Sequence, residues 1–180
     1  MSASTPPRVR TVEWDDPGAG ARAGASMAGL DYLKAIIRGA VPAAPLARVL
    51  GFVLAEVESG RAVFEIEPME FHYNPIGSVH GGVACTLLDS AMGCAVHTTL
   101  PAGTGYTTAE LKVNLVRAIT TATGLLRAEG KVIHRGGRIA TAEGHLRDRE
   151  GRLYAHGTTT CLILAHASGK TPPAEGVRDS

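Results

Sequence analysis

The sequence predicts an α+β domain in which one long helix is wrapped by a curved, largely antiparallel β-sheet. Three observations predict it. The segment from His80 to Val96 carries Val83, Ala84, Leu87, Leu88, Ala91 and Ala95 at helical spacing, giving one broad apolar face of modest-sized side chains. Six other segments read as strands, outnumbering the helices. Those strands follow one another through short turns, which antiparallel pairing permits and parallel pairing does not. A helix with an apolar face needs a sheet to cover it, and a sheet curved around the helix satisfies both surfaces.

Residues 1–29 are rich in Ala, Gly, Pro and Ser without a sustained period, and are expected to form a flexible extension or a surface wrap. The run Gly18 to Gly24 has the wrong spacing for a phosphate-binding glycine loop and follows Asp15-Asp16-Pro17, not an apolar strand. The domain itself is expected over 30–167. Leu30, Leu33, Ile36 and Ile37 share one face of a short helix that Gly39 and Pro42 close. Strands over Leu50–Glu58 and Arg61–Glu67 flank a Ser59-Gly60 hairpin, and Pro68 ends the second. The long helix follows, then Pro101, Gly103 and Gly105 break the pattern. Four strands come next, at about Thr107–Val116, Gly124–His134, Arg138–Arg147 and Arg152–Leu164. In the first, Leu111, Val113 and Leu115 face one way and Glu110, Lys112 and Asn114 the other. From 168 to 180 the chain is polar and is expected to be a disordered tail.

A chain of 180 residues suffices for one well-packed core. Its formal net charge of +1 gives no long-range attraction to nucleic acid or to an anionic membrane. No apolar run approaches bilayer length, and the first residues lack the layout of a secretory signal, so a cytoplasmic location is the expectation. Cys85 and Cys94 fall on one helix roughly 13 Å apart, too far to bridge. With Cys161 in a strand, all three are expected to be free thiols. Histidines and cysteines show neither His-x-x-x-His nor Cys-x-x-Cys spacing, so no metal site is expected, and Gly-x-Ser-x-Gly is absent.

The informative segment is Asn74-Pro-Ile-Gly77-Ser-Val-His80-Gly81-Gly82, which runs into Leu87-Leu88-Asp89. A helix start leaves backbone N–H groups unpaired and partly positive, and glycines there keep side chains out of a ligand's way. Such donors hold a carbonyl oxygen and stabilise charge that develops on it. Asp89 lies about 12 Å further along the axis. One helix therefore cannot offer Gly81 and Asp89 to the same carbon, whereas two copies related by a two-fold axis can. The same residues also suit a plain tight turn and the polar edge of a helix, and the spacing alone leaves both readings standing. A lone carboxylate beside Leu88 and Ala91 is costly unless hydrogen-bonded or used.

Across residues 30–165 the chain resembles hotdog-fold acyl-CoA thioesterases, nearest the phenylacetate-pathway type. Besides the segment above, Thr108-Ala-Glu110-Leu111-Lys112-Val113-Asn114, Gly130 through Arg138, and Ala155-His-Gly157-Thr-Thr-Thr160 carry the likeness. The resemblance implies a homodimer with sites at its interface, and often a homotetramer built as a dimer of dimers. It implies that Asp89 is general base or nucleophile, that the Gly81 N–H polarises the thioester carbonyl, and that Asn74 holds that carbonyl or the water. Thr108 would assist the water, and His80 would shape the site. Coenzyme A would be part of the substrate and a product, with no separate cofactor. Arg135, Gly136, Gly137 and Arg138 offer a cationic hairpin for its phosphates, although solvated turn arginines would look the same. The extension at 1–29 is longer than the family core requires.

Two other functions fit the same fold. A dehydratase or hydratase of acyl thioesters pairs its histidine with an acid in a different motif, and His80-Gly81-Gly82 followed by Asp89 favours hydrolysis. A non-catalytic acyl-CoA sensor would not require Asn74, Gly81 and Asp89 together.

Overall fold

The computed structural model describes residues 8–165; the tail expected at 168–180 lies outside them. Six strands form one antiparallel sheet: β1 (Phe52–Glu58), β2 (Arg61–Ile66), β3 (Thr104–Leu115), β4 (Leu126–Arg135), β5 (Ile139–Asp148) and β6 (Leu153–Ala165). Their order across the sheet is β1-β2-β4-β5-β6-β3, so β1 and β3 are the edges. The long helix, α4 (Gly81–His97), touches all six strands. Six strands span about 24 Å and a helix with its side chains about 10–12 Å, so one helix reaches them all only because the sheet curves around it.

The side chains expected to face the sheet do so. Val83, Ala84, Leu87, Leu88, Ala91 and Ala95 are all buried, with Met92 and Val96 beside them. Each fully buried Leu contributes about 2–3 kcal/mol. Small residues set how closely helix and sheet approach. Gly130, Gly144 and Gly157 stand opposite one another on β4, β5 and β6. A Cβ on Gly130 would lie 2.4 Å from the Ala91 carbonyl, and one on Gly144 would lie 2.9 Å from Met92 Cγ. The helix is seated against bare backbone at Gly130 and Gly144, while a Cβ on Gly157 would meet Lys112 O of β3 at 2.4 Å.

Three elements differ from the sequence expectation. The described part of the N-terminal extension includes a helix, α1 (Pro17–Ser26), which contains the Gly18–Gly24 run. Asp16 caps it by accepting from Gly18 N at 2.9 Å, and Gly24 leaves room for the Tyr32 ring of α2 (Gly29–Ile37). Before that helix the chain lies along the surface: Arg8 Nε donates to Glu70 at 2.7 Å and the Arg10 guanidinium covers the Phe71 ring. Another helix, α3 (Pro45–Leu50), fills the stretch before the first strand and takes in that strand's expected first residue, Leu50; Gly51, in the left-handed region at φ 73°, ends it. The strand after the long helix begins earlier than expected, at Thr104, where pairing with Ala165 starts.

Strand β3 also departs from simple alternation. Thr108 pairs with Cys161 and Glu110 with Thr160, which leaves Ala109 as a bulge. An inserted residue resets the phase of a strand. Thr108 and Leu111 therefore both face the helix, although three positions apart they would otherwise face opposite ways.

Candidate active site

The Asn74 half of the site is built from a turn and a helix start. After β2 the chain makes a 3₁₀ turn at Glu70–His72 and a closed turn over 74–78. Asn74 Oδ1 accepts from Ile76 N at 3.0 Å, and Asn74 Nδ2 donates to Ser78 Oγ at 3.3 Å. One hydrogen on Nδ2 is left for a ligand. Gly77, at φ 82°, permits the turn. Two backbone bonds anchor the segment: Val79 N to Ile119 O at 2.9 Å and His80 N to His72 O at 2.8 Å.

His80 is the N-cap of α4. Its Nδ1 accepts from Gly82 N at 2.9 Å, which in the neutral ring leaves the hydrogen on Nε2. A Cβ on Gly82 would lie 2.9 Å from that Nδ1, so the second glycine makes room for the cap. Gly81 N–H has no partner among the described residues. A cavity of about 340 Å³ lies in front of it, walled by Asn74, Val79, His80, Ala84, Leu115 and Arg117 among others.

His72 was not foreseen. It is 4% exposed, and both ring nitrogens are engaged: Nδ1 accepts from Met69 N at 2.9 Å and Nε2 donates to Leu50 O at 2.7 Å. Burial, helped by the positive Arg10, lowers its pKa below the usual imidazole value, so it is held neutral. It ties the turn before Asn74 to the end of α3. No local period or motif marks it; only the tertiary fold brings Leu50 to it.

The Asp89 half is built on the third turn of α4. Asp89 is half-buried and accepts from Thr108 Oγ1 at 2.9 Å. The bulge at Ala109 is what turns Thr108 toward it. Around this pair lie Cys94, Tyr106 and Cys161. Burial pushes the Cys94 thiol up to about 12 and raises the Tyr106 phenol and the Cys161 thiol as well. All three stay neutral at neutral pH, so none adds a charge beside Asp89.

The expected residues thus fall into three places on one chain. Asn74, His80 and Gly81 line one cavity; Asp89 and Thr108 are bonded to each other about 12 Å along the helix. The Arg135–Arg138 hairpin is farther away. It sits beside Leu162 of β6, whereas Leu115, next to Gly81, pairs with Ala155. Seven residues along a strand separate the two places by about 23 Å. Among the described residues no group of three or more His, Cys, Asp or Glu is arranged to hold a metal ion, and no helix is long and apolar enough to cross a membrane.

A long helix wrapped by a six-stranded antiparallel sheet, with a glycine helix start and an acid inside the wrap, is the hotdog fold. The chain belongs to the thioesterase superfamily, whose family model matches residues 76–155. A Saccharolobus solfataricus protein named "Putative esterase" is 31% identical over 134 residues, which is 74% of this chain and 94% of that one. A Halobacterium salinarum protein with the same description is 32% identical over 116 residues, 63% of this chain and 76% of that one. Among solved structures, a "putative thioesterase, phenylacetic acid degradation-related protein" from Ralstonia eutropha JMP134 superposes with a TM-score of 0.66. It is 29% identical, covering 73% of this chain and 98% of that one. Thioester hydrolysis is the class of activity that this family and site define.

Proposed function

We propose that the protein is an acyl-CoA thioesterase, hydrolysing an acyl-CoA to the free acid and coenzyme A at two sites between two copies of the chain. The observation that carries this reading is the separation of the two half-sites along α4. Strand β3 runs beside the helix, with Leu115 against Gly81 and Thr108 against Asp89. It is also an edge strand, with one side unpaired. Antiparallel pairing of two β3 strands about a two-fold axis midway between those contacts, near Leu111 and Lys112, sets Leu115 of one copy opposite Thr108 of the other. Gly81 of one copy then meets Asp89 of the other. The same rotation carries the Arg135–Arg138 hairpin of the second copy toward the Gly81 cavity, where the phosphates of coenzyme A would need cations. A further pairing into a homotetramer is compatible with this site and is not required by it.

In the reaction the carbonyl oxygen accepts from Gly81 N–H, with Asn74 Nδ2 as a second donor, and both bonds strengthen as negative charge builds there. Asp89 takes the proton of the attacking water, or adds to the carbonyl carbon itself before water releases the acid. Thr108 holds the carboxylate in place in either route. The C–S bond breaks, the thiolate leaves and is protonated. A thioester carbonyl is electrophilic and a thiolate is a good leaving group, so a positioned carboxylate suffices as base.

A free-thiol assay over short, long and aromatic acyl-CoAs tests the reading. Thiol release with at least one class is expected. Silence across the panel, with coenzyme A still bound, would instead identify an acyl-CoA sensor.

A further inference from the structure

Among the described residues, Arg117 is the one charged side chain in the wall of the cavity that fronts Gly81. After β3 ends, Val116 N and Arg117 N both donate to Tyr154 O, at 2.9 and 3.2 Å, and this fixes the backbone at the rim. The side chain lies over the Tyr154 ring, its guanidinium carbon 5.7 Å from the ring centre, and Nε donates to Leu153 O at 3.4 Å. These contacts use the stem and Nε. Both terminal NH₂ groups are without a partner among the described residues.

A cation with a purely structural role would be expected to pair with the carboxylate bonded to the same tyrosine, Asp148. That carboxylate is already occupied. Asp148 accepts from Glu150 N, Arg152 N, Arg152 Nε and Tyr154 Oη, at 3.1, 2.9, 2.6 and 3.1 Å. Four bonds fill the acceptor capacity of a carboxylate. Arg117 therefore lines the cavity with a fork that has no counter-ion among the described residues, and a planar guanidinium fork matches two oxygens of a phosphate.

The position of Arg117 indicates which part of a thioester it meets. Val79, Ala84 and Ile119 are the buried apolar floor of the cavity, suited to an acyl group, whereas Arg117 is exposed at its rim. The rim is where the thiol carrier leaves toward solvent. We infer that Arg117 binds a phosphate of the carrier, which makes it a determinant of preference for coenzyme A thioesters over thioesters of uncharged thiols. The inference rests on the cavity being the thioester site proposed above.

The test compares the wild type with Arg117→Gln and Arg117→Lys. Calorimetric titration with coenzyme A should show roughly tenfold weaker binding for Arg117→Gln, with part of the affinity restored in Arg117→Lys. In turnover, KM for the best acyl-CoA of the panel should rise to a similar extent with kcat retained. KM for the same acyl group on N-acetylcysteamine, which has no phosphate, should not move. Unchanged coenzyme A affinity in Arg117→Gln, or an equal rise in KM for both thioesters, would overturn the inference; thermal melts identify any general loss of fold. Because binding is read without turnover, a wild type that binds coenzyme A through Arg117 but releases no thiol would sink the hydrolase reading alone. A wild type with no affinity for coenzyme A would sink both.

Discussion

The two ends of the working stretch of α4 are built in opposite ways. At the Asn74–Gly81 end the chemistry is in the backbone: an unpaired N–H, set by a cap, a closed turn and two anchoring bonds, faces an open cavity. At Asp89 the chemistry is one carboxylate, set by a single hydroxyl from an edge strand among neutral thiols and a phenol. In the proposed reaction the first end receives the carbonyl and the second acts on it. The two ends lie about 12 Å apart along the helix, which is why the proposed reaction takes one end from each of two copies.

The largest expected effect comes from separating the halves. Asp89→Asn should lower kcat by roughly 10³-fold with KM nearly unchanged, whereas Asn74→Ala should lose less and raise KM as well. Mixing the two impaired variants as unfolded chains and refolding them together should give roughly a quarter of wild-type activity from restored sites, above the residual activity of either variant alone, because half of the dimers are mixed and each carries one intact site. Mixed chains no more active than the average of the two variants would show that both halves serve the same site from one chain.

A smaller effect is expected from the hydroxyl that holds the acid. Thr108→Val should reduce kcat about tenfold without changing the melting profile by more than a few degrees. A variant as fast as the wild type would show that Asp89 needs no orientation.

The smallest effect tests how firmly the receiving half is held. His72 is neutral in the fold, with its pKa below the ordinary 6.5. As pH falls through that value the unfolded chain binds a proton that the folded chain refuses, so stability is full above it and declines below it. Urea melts at pH 7.5 and 5.5 should show a loss on the order of 1 kcal/mol that is smaller in His72→Gln. An identical pH dependence in both proteins would remove His72 from the argument.

Much of this was legible in the sequence because it is local. Helical spacing placed α4 to within a residue at each end, and alternation with turn residues placed most of the strands. The helices missed, α1 and α3, are short and lack a strong apolar period; a cap, a proline start and packing onto neighbours hold them instead. The bulge at Ala109 was invisible for a related reason. Leu111 and Val113 alternate correctly, and only pairing with β6 reveals that Thr108 shares their face. Gly81 and Asp89 stood out by residue type and spacing, and Asn74 by the family resemblance. His72, Leu115 and Arg117 gain their roles from residues far away in the chain, which spacing does not record.

The glycine row beneath α4 has a consequence for how much variety the site can accept. Ala91 rests on Gly130 with no side chain between them, so the helix cannot slide or roll without driving its backbone into β4. Asp89 stands two residues earlier and inherits that immobility. The opposite wall is built on the 74–78 turn, where Pro75, Ile76 and Gly77 are exposed. On the proposed function, acceptance of acyl groups of different bulk belongs to the Asn74 side, and changes there would retune which acids are released while the Asp89 carboxylate keeps a constant position.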